Sequence, residues 1–243
     1  MSAVLAAQAL KKSFGAVIAA ADISLSFDAH TVVSLIGANG AGKTTFLNMV
    51  TGYLKPDSGR IIFEGRDVVG LSPRQIARLG ISRSFQIPQL FHTLSVRDNL
   101  LMAESIAGAD NPQAATDAAL VRFELESYAS QWAGLLPEGI RKLLDVAMAL
   151  SSRSRLLLLD EPTSGVSADE KFAIMDVVMG AAQAAGVTVI FVEHDMDIVA
   201  RYAGRVVAFY DGGIIGDGPP DAVLRMADVR RYVIGEEVPH AAA

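Results

Sequence analysis

The chain has 243 residues, of which 51% are hydrophobic and 20% are charged, and its formal net charge is −6. This composition supports a sizeable buried core and excludes a largely disordered chain. The acidic balance argues against a nucleic-acid-binding protein. The sequence contains no cysteine, which excludes disulfides and thiol chemistry, and its four histidines do not have metal-ligand spacing.

The chain offers no obvious segment that could cross a membrane by itself. No stretch approaches the roughly 18 consecutive apolar residues of a spanning helix. The charged residues near the N-terminus follow the apolar ones, which is the reverse of a secretory signal. We therefore expect a cytosolic protein, or one that a partner holds at a membrane surface.

In chain order, the first regular elements are strands of two kinds. Residues 21–29 and 59–65 alternate between apolar and polar side chains beside turn-forming residues, which predicts an antiparallel layer. Other runs are continuously apolar and predict strands buried on both faces of a largely parallel sheet. These runs are residues 32–36, 156–160, 187–192 and 205–210.

The strand pattern stops between residues 86 and 155, where helical patterns replace it. The predicted helices span residues 95–105, 114–132 and 140–150, with loops at 108–112 and 134–139. Apolar side chains recur at spacings of three and four in the last helix and require a core. They are Ile140, Leu143, Leu144, Ala147 and Leu150. A helical insert therefore interrupts an α/β core.

Residues 37–45, GANGAGKTT, fit the Gly-x-x-x-x-Gly-Lys-Thr pattern of a phosphate-binding loop between a strand and a helix. Glycines let the backbone N–H groups surround a phosphate chain, and the helix adds its positive end. We expect Lys43 to reach the β- and γ-phosphates and the Thr44 hydroxyl to bind Mg²⁺. The predicted nucleotide-binding residues of this loop are Gly37, Asn39, Gly40, Ala41, Gly42, Lys43, Thr44 and Thr45.

Acidic side chains at the end of the strand at 156–160 complement the phosphate-binding loop. We predict that Asp160 binds Mg²⁺, directly or through water, and that Glu161 is the general base for the attacking water. His194 follows the next predicted strand, so its imidazole is at the same sheet edge and can hydrogen-bond the γ-phosphate. The other histidines, interpreted as surface or hydrogen-bonded side chains, are His30, His92 and His240.

These motifs, in this order, resemble the ATP-binding subunit of an ABC transporter from about Leu5 to Gly235. The resemblance implies that Phe14 stacks on adenine, that Gln86 contacts Mg²⁺ and senses a membrane partner, and that His194 is the switch histidine. The implied fold class is α/β: a P-loop NTPase (RecA-like) core with an antiparallel β layer and an inserted helical subdomain.

The resemblance also implies a domain layout. The whole chain, residues 1–243, forms a single ATPase domain in this interpretation. Its nucleotide-binding core comprises residues 1–85 and 155–243, and the helical subdomain comprises residues 86–154. A C-terminal helix and tail occupy residues 228–243.

A turn before the last helix of the insert, Leu136-Pro137-Glu138-Gly139-Ile140, stands where the family has Leu-Ser-Gly-Gly-Gln. In the family this helix start faces the ATP that the other subunit holds, which implies that Gly139 contacts nucleotide across a dimer. Leu-Pro-x-Gly resembles the branched-chain amino acid importer group, as does the tail ending in Tyr-x-x-Gly-Glu. The insert is short for that group, and Ser167 stands where the group often has Asn.

The resemblance implies an ATP-hydrolysing subunit of an importer for branched-chain amino acids or a related small carboxylate or amide, with ATP and Mg²⁺ as cofactors. It implies a second ATPase subunit, a different chain in the working transporter or a second copy in isolation. Two transmembrane permeases and, indirectly, an extracytoplasmic substrate-binding protein complete the assembly, without nucleic acid. The chain would lie peripherally on the cytoplasmic face of the inner membrane.

Two other classes of protein share part of this pattern. An ABC-type ATPase without a membrane partner, acting in DNA repair or translation, would share the whole motif set. Such proteins typically contain tandem domains, long coiled coils, zinc modules or basic inserts, and this acidic, cysteine-free sequence shows none of these features. A small-molecule kinase would share Lys43 but does not need Gln86, His194 or the signature turn in that order.

Overall fold

The computed structural model describes residues 3–150 and 154–235, which form two compact units. The first unit contains the described residues up to 76 and from 190 onward, and the second contains those from 77 to 189. The predicted limits of the nucleotide-binding core and the helical subdomain, near residues 85 and 155, stay a prediction. His240 and the Glu-Glu pair at 236–237 lie outside the described residues.

Strands and helices alternate one by one between residues 138 and 210, and elements of the same kind follow one another in other parts of the chain. The strands are β1 Ala3–Phe14, β2 Val17–Asp28, β3 Val32–Gly37, β4 Ser58–Phe63, β5 Arg66–Asp67, β6 Ile81–Ser84, β7 Leu156–Asp160, β8 Thr188–Val192, β9 Arg205–Tyr210 and β10 Gly213–Gly218. The α-helices are α1 Lys43–Val50, α2 Pro73–Leu79, α3 Val96–Ala107, α4 Pro112–Arg122, α5 Glu138–Ala149, α6 Ala168–Ala184, α7 Met196–Tyr202, α8 Pro220–Val223 and α9 Ala227–Val229. A π-helical turn, Arg230–Ile234, follows α9.

The first unit contains the predicted antiparallel layer, with strand order β2-β1-β4-β5. The pairing of β1 with β2 and with β4 is antiparallel in both cases. Alternate side chains of β2, such as Ile23, Leu25 and Phe27, are buried, while the intervening ones are exposed. The alternating pattern therefore gave the correct pairing for this layer, because one face is buried and the other is solvated.

The same unit contains the strands that precede and support the phosphate-binding loop. β3 pairs in parallel with β9, and β9 pairs antiparallel with β10. The ring of Phe46 on α1 lies 6.1 Å from that of Phe27 on β2 and 6.0 Å from that of Phe209 on β9, measured between centroids. All of these rings are fully buried. Aromatic packing therefore fixes α1 between the two β layers of this unit.

The second unit combines a parallel strand pair with helices. β6 pairs in parallel with β7, with Ile81 opposite Leu156 and Ser84 opposite Leu159. All residues of β7 are buried, as its continuous apolar run predicted. The stripe predicted on α5 is also largely buried, because Leu143, Leu144, Ala147 and Leu150 are each at most 6% exposed.

The helix predicted at 114–132 is shorter in the structure. α4 ends at Arg122, and Glu124 adopts a left-handed conformation with φ of 55°. The N–H of Leu125 donates to Leu120 O and that of Glu124 to Val121 O, which is a Schellman C-cap. Leu125 is fully buried, which favours this stop, and two short 3₁₀ turns, Glu126–Tyr128 and Ala133–Leu135, follow.

Within residues 3–150 and 154–235, none of the helices combines the length and the apolar character that a bilayer crossing requires.

Candidate functional site

The phosphate-binding loop connects β3 to α1 in the first unit. β3 ends at Gly37, and α1 begins at Lys43 with Gly42 as its N-cap residue. Gly42 has φ of 106°, and a Cβ at this position would lie 2.4 Å from the backbone oxygen of Ala19. Only glycine fits such an approach in the left-handed region without displacing the backbone. The close approach of Gly42 to β2 therefore fixes the point at which α1 begins.

Lys43 is held by the loop that it follows. Its side chain is buried, and Nζ donates to the backbone oxygens of Gly37 at 2.5 Å and Ala38 at 3.1 Å. Thr44, the next residue on the first turn, is exposed, and Asn39 and Gly40 at the loop tip are exposed as well. The loop thus presents backbone N–H groups and a hydroxyl at the positive end of a helix, which suits an anion.

Two further predicted residues lie in the first unit and are exposed. Phe14 ends β1 with 51% of its surface exposed, and Lys12 Nζ lies 5.5 Å from its ring centroid. The ring is therefore not a core residue and is available for stacking. His194 lies between β8 and α7, and its backbone N–H donates to Glu193 Oε2 at 3.1 Å.

In the second unit, Asp160 at the end of β7 forms an ion pair with an arginine of the neighbouring strand. Arg83 Nη2 lies 2.6 Å from Asp160 Oδ2, and the two side chains are only 5% and 8% exposed. A buried carboxylate needs such a partner, because an unpaired buried charge is costly. The sequence reasoning assigned Asp160 to Mg²⁺ and did not anticipate Arg83. Arg83 lies only three residues before Gln86, and this closeness to a predicted site residue is the sequence signal that could have suggested the contact.

The structure brings Gln86 and Glu161 together. Gln86 Nε2 donates to Glu161 Oε2 at 2.7 Å, although 75 positions separate them in the sequence. Glu161 has φ of 52°, a conformation that costs a non-glycine residue roughly 1–2 kcal/mol. The N–H of Ser164 donates to its backbone oxygen. A predicted general base therefore occupies a strained backbone position directly after a buried strand.

Pro137 of the signature turn is the N-cap residue of α5, which begins at Glu138, two residues before the predicted start at Ile140. The backbone oxygen of Pro137 accepts from the N–H of Arg141, and the Arg141 side chain pairs with Glu138. A Cβ on Gly139 would lie 2.8 Å from Ile174 Cδ1 on α6. Ile174 Cδ1 is the end of a flexible side chain, so a small side chain at position 139 requires only a shift of that methyl group.

Two buried charged side chains of α5, Lys142 and Asp145, also contact this part of the second unit. Burial raises the pKa of the Asp145 carboxyl, and hydrogen bonds from Ser84, Gln89 and Phe85 oppose the shift. The sequence reasoning missed both residues because it considered only the apolar stripe of this helix.

Comparisons with known proteins match the chain over most of its length. A family model described as "ABC transporter" matches residues 20–164. The chain belongs to the ABC transporter family. It is an ATPase that binds ATP, and its fold is that of the P-loop NTPase cassettes.

Relatives with established names extend the match to nearly the whole of this ABC ATPase. It is 32% identical to the high-affinity branched-chain amino acid transport ATP-binding protein of Pseudomonas aeruginosa, over 96% of this chain and 98% of that protein. It is 31% identical to the corresponding protein of Escherichia coli K12, again over 96% and 98%.

Solved structures of ABC cassettes are also similar to this ATPase. One is an ATP-binding cassette of an ABC transporter in its ADP conformation, with a TM-score of 0.86, 30% identity, and coverage of 97% of this chain and 100% of that chain. Another, from Clostridium perfringens, is part of an ABC transporter complex, with a TM-score of 0.83, 28% identity, and coverage of 95% and 94%.

The close approach at Gly42 generates a stability prediction. Gly42→Ala should lower the free energy of unfolding by about 2–4 kcal/mol, since it combines a strained φ with a backbone clash. Gly40→Ala is the control, because φ is 83° there but no atom lies within 4 Å of the added Cβ; it should cost only about 1 kcal/mol. Urea unfolding without nucleotide measures both, and equal losses would contradict the constraint.

Proposed function

We propose that this ABC ATPase energises an importer of branched-chain amino acids or of a related small carboxylate or amide. The observation that carries the proposal is the similarity to branched-chain amino acid transport ATP-binding proteins, which covers 96% of the chain. The Leu-Pro-x-Gly signature at residues 136–139 supports the same group.

The roles of the residues follow from their chemistry and placement. We assign the phosphate chain to the loop at residues 37–45, with Lys43 on the β- and γ-phosphates and Phe14 stacked on adenine. His194 hydrogen-bonds the γ-phosphate. Glu161 accepts a proton from the attacking water, which then adds to the γ-phosphorus as the bond to the β-phosphate oxygen breaks.

The chain has donors that suit Mg²⁺, which prefers hard oxygen ligands. The Thr44 hydroxyl is exposed on the first turn of α1, and Asp160 supplies a carboxylate. Because the Gln86 amide nitrogen donates to Glu161, its amide oxygen is the atom suited to a metal. Bound Mg²⁺ would neutralise charge on the phosphates, and Arg83 balances the buried Asp160.

We also propose that two ATPase chains pair, with Gly139 of one facing the nucleotide of the other. The partner is a different chain in the working transporter. Glu138 is paired with Arg141, which reduces its repulsion of a nearby phosphate.

Exposed apolar side chains beside Gln86 support docking to membrane subunits. Ile87 is 74% exposed and Phe91 47%. Leu135, 77% exposed, and Trp132, 61% exposed, lie on the segment that hydrogen-bonds to residues 92–95. An apolar group of this kind on a protein surface suits a partner. We assign it to cytoplasmic helices of two permeases, which would place the chain peripherally at the cytoplasmic face of the inner membrane and couple it indirectly to an extracytoplasmic binding protein.

Substitution of the general base tests the hydrolytic role. Glu161→Gln should bind ATP normally and lose turnover by roughly 10²- to 10⁴-fold, the usual contribution of a general base. Phosphate release gives the turnover, and titration with a fluorescent ATP analogue gives the affinity. Glu126→Gln, at an exposed position of the second unit, is the control and should change neither. Near-normal hydrolysis by Glu161→Gln would remove Glu161 from this role.

Substitution at Gly139 tests the contact across the dimer. Gly139→Asp should leave ATP binding by the isolated chain intact and block ATP-dependent pairing, because it adds a negative charge next to the partner's phosphates. Gly139→Ala is the matched control, since it adds the same Cβ beside Ile174 without a charge. Analytical ultracentrifugation with and without Mg-ATP measures pairing. Equal pairing of the two variants would refute the contact.

Co-purification tests the transporter assignment. Tagged Glu161→Gln with Mg-ATP should recover two permeases and a second, different ATPase from detergent-solubilised native membranes. The permease operon then identifies a binding protein whose cargo can be screened. Recovery of the chain alone, or with ribosomal or DNA-repair proteins, would overturn the import proposal and favour an ABC ATPase without a membrane partner.

A further inference from the structure

α5 buries two charged side chains in addition to its apolar stripe. Lys142 is 3% exposed and Asp145 is 5% exposed, although both residue types normally lie at the surface. Burying a charge is costly unless hydrogen bonds compensate it. The contacts of these two side chains therefore indicate what the fold gains from them.

Lys142 connects the backbones of the two residues whose side chains meet. Its Nζ donates to the backbone oxygen of Gln86 at 2.9 Å and to that of Glu161 at 2.9 Å. The side chains of the same two residues share the 2.7 Å hydrogen bond described above. One ammonium group thus restrains both the loop that carries Gln86 and the strand end that carries Glu161.

Asp145, one turn further along α5, holds the same loop on either side of Gln86. Its Oδ2 accepts from the Ser84 hydroxyl at 2.6 Å and from the N–H of Phe85 at 3.2 Å. Its Oδ1 accepts from the N–H of Gln89 at 2.8 Å. A carboxylate that accepts several hydrogen bonds fixes the backbone around it, so the loop between 84 and 89 has little freedom to move away from α5.

The backbone of Glu161 needs such restraint. A non-glycine residue with φ of 52° persists only where its surroundings hold it. The Lys142 ammonium group binds the backbone oxygen of that same residue, so it opposes relaxation of the strained peptide. Relaxation of this peptide would rotate the Glu161 side chain away from its hydrogen bond with the Gln86 amide.

We propose that Lys142 and Asp145 are positioning residues for ATP hydrolysis, which hold Gln86 and Glu161 in register from the helix that follows the signature turn. Neither residue is placed on the nucleotide; each acts through the backbone of another residue. The proposal rests on the function proposed for Glu161, because it concerns the orientation of that general base.

Removal of the Lys142 charge tests this positioning. Lys142→Met keeps much of the length and apolar bulk of the side chain and removes both hydrogen bonds. It should lower kcat on the order of 10- to 100-fold, the scale of a displacement of about 1 Å at a reacting group, and leave the Kd for ATP unchanged. Lys171→Met on α6 is the control and should leave both unchanged. A kcat within threefold of the wild-type value would overturn the proposal.

A double-mutant cycle separates positioning from a general loss of structure. In the Glu161→Gln background, Lys142→Met should reduce the single-turnover rate by less than twofold, because the base that it positions is already absent. Equal factors in both backgrounds would show that Lys142 acts independently of Glu161 and would overturn the proposal. If Lys142→Met does not fold, Asp145→Asn serves in the same cycle, because its amide group would oppose one of the backbone donors.

The two proposals fail in different ways. Loss of the general-base role appears as normal hydrolysis by Glu161→Gln, whatever Lys142 does. If Glu161→Gln is inactive but Lys142→Met hydrolyses ATP normally, the function stands and only the positioning is wrong.

Discussion

The residues proposed to bind and hydrolyse ATP depend on buried strands that fix the backbone where each following loop begins. β3 ends at Gly37 before the phosphate-binding loop, β7 ends at Asp160 before Glu161, and β8 ends two residues before His194. A strand buried on both faces has no place for solvated polar groups, so polar chemistry begins where the strand stops. The hydrogen-bonded ladder then holds the first residue of each loop more firmly than a surface loop could be held.

The buried charged side chains of the second unit have partners within the protein itself. Asp160 is paired with Arg83, Lys142 donates to backbone oxygens, and Asp145 accepts from the Ser84 hydroxyl and from backbone N–H groups. Fixed partners of this kind do not need to reorganise when charge develops during a reaction, which is the physical basis of electrostatic preorganisation. They also restrict the positions that Glu161 can adopt, because its backbone oxygen is one of the groups bound.

Some features could not be predicted from sequence patterns, because they depend on contacts between residues that are far apart in the sequence. Periodicity favoured a helix as far as residue 132, but burial of Leu125 in a C-cap ends it at Arg122. The sequence indicated Gly139 as a contact to nucleotide across a dimer, but it did not indicate that Ile174 of α6 lies next to this glycine. Arg83 has no local signature, and its ion pair with Asp160 depends on the pairing of β6 with β7.

The sequence by itself determined the fold class, the antiparallel layer, the buried strands and the phosphate-binding loop, because each has a local signature of spacing or periodicity. It also placed the acidic residues at the end of the β7 segment. Only the tertiary structure decided which distant residues form hydrogen bonds. The Gln86 side chain donates to the Glu161 side chain, and Lys142 donates to the backbone oxygens of both. These hydrogen bonds join residues 19 to 75 positions apart. Such contacts are set by the packing of helices and strands, and no local pattern encodes them.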